Sequence, residues 1–153
     1  MDIFKNFPLL SAVAGWMIAE LFKMIINTIK SRSLKCINLK ALFASGGMPS
    51  SHSATMAALT TSIGLSESAG LASPLFALSC VLSYVVMYDA AGVRHETGKQ
   101  GKALNRLLQD VFNSDVEYAN EAFKELVGHT KMQVFVGGVL GIAVGFAMHF
   151  ICL

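Results

Sequence analysis

A chain of 153 residues that is 54% hydrophobic and only 14% charged has room for one domain and too little polar surface to coat a soluble one. Its formal net charge of +2, with no Lys/Arg run interleaved with aromatics, excludes a nucleic-acid surface. Cys36, Cys80 and Cys152 are odd in number and widely spaced, with no CxxC or Cys/His ligand spacing, which argues against a disulfide framework and against a zinc site.

Four apolar stretches follow in chain order and predict an all-α integral membrane protein, a single domain over residues 1–153. The first, about Phe7 to Ile29, meets the roughly 20 apolar residues that a bilayer crossing needs. It is too long for a secretory signal, carries Glu20 and Lys23, and precedes no small-residue cleavage site, so it is expected to stay in the protein. Charges at such a depth cost about 2.5–3.5 kcal/mol each, so Glu20 and Lys23 are expected to face the bundle interior, as a mutual ion pair or as support for a polar site. The second stretch is apolar only from Ala54 to Leu65 and reaches spanning length only if its helix starts near Met48. The third, Leu71 to Tyr88, is short but uncharged. A long polar region follows, in which Leu104, Leu107, Leu108, Val111 and Phe112, then Val116, Ala119, Phe123 and Leu126, recur at helical spacing. Two short amphipathic helices are predicted there, on the membrane surface or on the other helices, the second with Ser114-Asp115-Val116-Glu117 as its capping box. The last stretch, Met132 to Leu153, is a full span whose Gly137, Gly141 and Gly145 form a face suited to close helix packing within the protomer. A homo-oligomer stays open.

If all four stretches cross, the segments Lys30 to Lys40 and Arg94 to Lys131 share one side. They hold ten Lys and Arg residues, against Lys5 alone on the other side. The positive-inside rule then places both segments in the cytoplasm and both termini outside it.

This topology gathers the unusual polar residues at one boundary. GGMPSSHSA (Gly46 to Ala54) opens the second span, Asp89 closes the third with Arg94 just beyond it, and Gly128-His129-Thr130 opens the fourth. Phosphate chemistry suits such a cluster. A helix starting at Pro49 would direct first-turn amides outward, and Gly46-Gly47 would let the backbone approach an anion. Ser50 and Ser51 would add hydroxyls, Arg94 a planar fork, and His52 and His129 proton transfer or nucleophilic attack near neutral pH. Taken singly, each has a plainer reading: the serines cap the helix, a histidine is structural, and Arg94 snorkels to lipid phosphates.

Pro49-Ser50-Ser51-His52 resembles the PSGH motif of the type 2 phosphatidic acid phosphatases, and His129 to Gly137 resembles their HxxxDVxxG motif. The chain is most similar to the divergent branch described as acid phosphatase/vanadium-dependent haloperoxidase-related, with its GGMPSSHSA, its YDAxGVRxxxGxQ (Tyr88 to Gln100, then Leu104-Asn105) and its GHTxxEVxxG (Gly128 to Gly137). The resemblance implies His129 as nucleophile, forming a phosphohistidine, and His52 as general acid. It also implies that Gly47, Ser50, Ser51 and Arg94 hold the phosphoryl oxygens, with no metal or other cofactor.

Two departures stand out. No Arg-Pro occurs, so the superfamily's lysine and Arg-Pro motif has only Lys23, Lys30 and Arg32 as candidate replacements. Gln133 stands where the superfamily has Asp and the branch usually Glu. In a serine-protease triad the matching acid-to-amide change costs about four orders of magnitude in rate. Glu125 and Asp89 are candidate substitutes.

The expected function is a membrane phosphatase acting on a lipid phosphate at the cytoplasmic leaflet. The alternative is a catalytically impaired binding or membrane-organising protein that keeps the oxyanion site. A transporter ranks third, because a polar cluster at one interface leaves no path across.

Overall fold

The computed structural model describes residues 2–31, 47–66, 68, 70–112 and 129–152. Among these, five α-helices form: α1 (Phe7–Ser31), α2 (Ser51–Ser66), α3 (Pro74–Ala91), α4 (Val93–Phe112) and α5 (Lys131–Cys152). Short 3₁₀ turns at Asp2–Lys5 and Gly70–Ala72 complete the described elements, and no strand occurs among them. The predicted helix over Val116 to Leu126, its capping box, and Gly46, Glu125 and Gly128 lie outside the described residues.

Local sequence sets the helix boundaries. At α3, Ser73 Oγ accepts the amides of Leu75 (3.1 Å) and Phe76 (3.3 Å), and Pro74 takes the first helical position, where its missing N–H costs nothing. The helix closes at Gly92, whose N–H reaches Tyr88 O at 2.8 Å. From Val93 the chain continues as α4, one amphipathic helix that takes in the first of the two predicted ones and starts well before Leu104.

The central element is α2, with α1, α3 and α5 packed around it. Its side chains are small enough to let backbones touch. A Cβ at Gly15 would lie 2.9 Å from both Ala54 O and Ala58 Cβ; one at Gly141 would meet Ala54 O and sit 2.7 Å from Ala57 Cβ; one at Gly145 would sit 2.7 Å from Thr61 Cβ. The glycine face of α5 is thus consumed inside the protomer. Between α2 and α3 the contact is polar: Thr60 Oγ1 and Ser83 Oγ are 2.8 Å apart, Thr60 Oγ1 donates to Ser79 O at 3.3 Å, and Ser83 Oγ donates to Met56 O at 3.3 Å. The large residues Leu78, Val81, Leu82, Phe135 and Val139 face outward, whereas the largest fully buried side chains are those of Ser11, Ser50, Ser53 and Ser62. This inside-out distribution fits a lipid surround, which accepts bulky apolar side chains and leaves close backbone packing and hydroxyl bridges to hold the helices together.

Among the described residues three helical stretches are long and apolar enough to cross a membrane, Phe7–Ile29, Pro74–Leu107 and Lys131–Cys152. The second predicted span differs. Its helix starts at Ser51 instead of near Met48, because Ser50 caps it, and at 16 residues it extends about 24 Å against a hydrocarbon core of about 30 Å.

Contacts fix the relative directions. Along α2, Gly47 just before the helix meets Lys23, Ala54 meets Gly15, and Ile63 shares a pocket with Phe7, so α1 runs antiparallel to it. Gly137, Gly141 and Gly145 meet successively later residues of α2, so α5 runs parallel. Phe76 lies by Gly64 and Ser83 by Met56, so α3 runs antiparallel. The starts of α2 and α5 and the ends of α1 and α3 therefore share one end of the bundle.

Candidate functional site

At that shared end the two histidine motifs meet. His52, the second residue of α2, is exposed, and His129, just before α5, is buried at 5% exposure. Their ring centroids lie 5.9 Å apart with the planes inclined by 60°. Three backbone-level ties hold this arrangement. The Ser50 N–H donates to Gln133 O at 3.1 Å, joining the entrance of α2 to the first turn of α5. The His129 N–H donates to Ala90 O at 3.2 Å, joining the third motif to the end of α3 beside Asp89. A Cβ at Gly137 would run into Ser50 O, so the close approach of the two helices requires glycine there.

The serines divide their work. Ser50 is fully buried, and its Oγ accepts the Ser53 amide at 3.4 Å and the Ser53 hydroxyl at 3.1 Å, which is the capping arrangement. Pro49 therefore precedes the cap and is not the first helical residue. Ser51, the first residue of α2, carries an amide with no intrahelical acceptor, in the positive end of the helix dipole.

Gln133 closes a capping box. Its Oε1 accepts the Thr130 N–H at 2.9 Å, and the Thr130 Oγ1 accepts the Gln133 N–H at 3.3 Å. Thr130-x-x-Gln133 is the sequence signature of this box, and the reading of Gln133 as a replacement for the superfamily's acid passed over it. Glu would serve the same box, so the amide is accommodated here without structural loss.

Glu20 and Lys23 form a buried ion pair at 2.8 Å, with side chains 7% and 4% exposed. Glu20 Oε2 is buried with no hydrogen-bond partner among the described residues. The stem of Lys23 packs against Gly47: a Cβ there would lie 3.1 Å from Lys23 Cγ, and Gly47 adopts φ +102°, a conformation that L side chains rarely take. The expected ion pair thus forms, and its lysine borders the entrance to the PSSH loop. Asp89 is half-buried in the last turn of α3, and Arg94 stands in the first turn of α4. Among the described residues no cluster of His, Cys, Asp and Glu has the geometry of a metal site.

Comparison with known proteins fits this geometry. No solved structure matches the chain. A protein from Bacillus subtilis (strain 168), named as an uncharacterized membrane protein, YuiD, is 40% identical, with 93% of each chain covered. Residues 4–144 match the family described as Divergent PAP2 family, and this span takes in both histidine motifs. On the strength of that match over nearly the whole chain, the protein belongs to the divergent PAP2 family.

Proposed function

We propose that the protein is a membrane phosphatase that hydrolyses a lipid phosphate through a phosphohistidine on His129. The observation that carries this reading is the 5.9 Å separation of the His52 and His129 rings at the joint between the two motif-bearing helices. In-line transfer needs the attacking and protonating groups to reach one phosphorus from opposite sides, and the nearness of the two imidazoles supports their serving a single phosphoryl group. A ring nitrogen of His129 attacks phosphorus, the bond from phosphorus to the ester oxygen breaks, and protonated His52 gives its proton to the departing alkoxide. Neutral His52 then takes a proton from water as that water attacks the phosphohistidine, and the P–N bond breaks to release inorganic phosphate. The Ser51 amide and hydroxyl, Gly47, Lys23 and Arg94 hold the charge on the phosphoryl oxygens. Lys23 stands for the missing basic motif because its stem packs against Gly47 at the entrance to the PSSH loop.

The ten Lys and Arg residues in the two segments flanking this end favour a site facing the cytoplasm, with both termini outside, and hence a substrate in the inner leaflet. The test is phosphate release by detergent-purified protein from a panel of phosphatidate, phosphatidylglycerol phosphate and isoprenoid diphosphates. Release by wild type and its loss in His129→Ala supports the reading. Equal release by both proteins refutes it, whereas vanadate binding without turnover on any substrate favours the binding-protein alternative.

A further inference from the structure

A groove of about 530 Å³, large enough for a small-molecule site, runs along the outer side of α2 between α3 and α5. Its floor is Thr60, Thr61 and Gly64, one wall carries Phe76, Cys80 and Met87, and the other Ile142 and Phe146. The lining is mostly apolar, and two of its hydroxyls are engaged within the protein, since Thr60 and Ser83 bond each other and the carbonyls of Ser79 and Met56. What the groove offers a ligand is therefore mainly hydrocarbon.

Its ends locate the occupant. Leu71 and Phe76 close one end, each with an atom 3.0 Å from the Cβ position of Gly64. The other end is Met87, three residues before the Ala90 carbonyl that binds the His129 amide, and Ala57, one turn beyond Ser53. From Phe76 to Met87 the helix rises about 16 Å, close to half of a hydrocarbon core about 30 Å thick. We infer that this groove seats one hydrocarbon chain of a single-leaflet lipid whose phosphate lies between His52 and His129. The inference rests on the phosphatase reading for the placement of the headgroup, and it assigns the substrate's chain a seat of its own on the protein. One groove takes one chain, so a single-chain lipid phosphate suffices as ligand.

Cys80 reports on the groove directly. In full-length protein in detergent, the rate of Cys80 alkylation by N-ethylmaleimide is followed by peptide mass mapping, with the exposed Cys152 as internal reference. Palmitoyl lysophosphatidate is expected to slow Cys80 roughly tenfold or more relative to Cys152, with glycerol 3-phosphate and monopalmitoyl glycerol leaving the ratio unchanged. Cys80→Trp, which fills the groove, is expected to lower kcat/KM for palmitoyl lysophosphatidate roughly tenfold while sparing glycerol 3-phosphate, and Cys80→Ala to spare both. Lack of protection by palmitoyl lysophosphatidate, or equal protection by the neutral lipid, overturns the inference. If no substrate releases phosphate, the phosphatase reading fails, and the protection ratio still decides whether a phosphate-bearing chain occupies the groove.

Discussion

Gln133 shows how a motif position can carry a second duty. Its side chain completes the capping box of α5 with Thr130, and its carbonyl receives the Ser50 amide, so one residue both starts a helix and clamps the PSSH turn to it. Because Gln and Glu fill an N-terminal box equally well, Gln133→Glu is expected to leave the melting temperature nearly unchanged and to alter turnover by less than about tenfold. Gln133→Ala is expected to lose about 1 kcal/mol of stability with the cap. Thermal unfolding and phosphate release on the same preparations check both, and a gain of several orders of magnitude in Gln133→Glu would show that a missing carboxylate, not the cap, governs this position. His52, His129, Ser50 and Gly47 were legible in the sequence because their motif spacing is specific. The capping box was equally legible as Thr-x-x-Gln but was overshadowed by the catalytic role that the motif suggested for the same residue. The placement of Lys23 beside Gly47 was not legible, since it depends on the antiparallel packing of α1 on α2.

At the scale of elements, the bundle is built by close approach of backbones and not by large interlocking side chains. Gly141 and Gly138 make the contrast measurable. A side chain at Gly141 collides with the α2 backbone, so Gly141→Val is expected to destabilise the bundle by about 3 kcal/mol or more. Gly138 has only Met87 Cε within reach, at 3.8 Å, so Gly138→Ala is expected to fold normally. Monodispersity and melting in detergent report the difference, and equal tolerance at the two positions would contradict the packing described. The glycine periodicity announced this interface in the sequence. The start of α2 did not announce itself, because Met48-Pro49-Ser50-Ser51 offers both a proline suited to a first turn and a serine suited to a cap, and the tie from Ser50 to Gln133 that selects the serine is tertiary. The hydroxyl contacts between α2 and α3 were hidden for the same reason: Thr60, Ser79 and Ser83 lie in stretches that read as ordinary span.

Considered whole, the molecule sets α1 and α3 against α2 and α5, which brings four distant segments to one end and leaves the tip of α5 at the other. In the orientation proposed from the charge asymmetry of the sequence, the segment holding Cys36 lies inside and Cys152 outside. A membrane-impermeant maleimide applied to right-side-out cells is expected to label Cys152 and not Cys36, and the reverse in inverted vesicles. Labelling of both thiols from the same side would overturn the orientation. The shortness of α2 bears on this point, since a buried central helix of about 24 Å need not itself meet the full thickness of lipid when three longer helices surround it. The most direct measurement of the phosphotransfer chemistry is to mix purified protein with a lipid phosphate labelled at phosphorus, quench within the first turnover and map the label. An acid-labile, base-stable phosphohistidine at His129 is the expected result, absent in His129→Ala and slower to form in His52→Ala. Rapid phosphate release with no label at His129, or labelled enzyme whose phosphate lies on another residue, would contradict it.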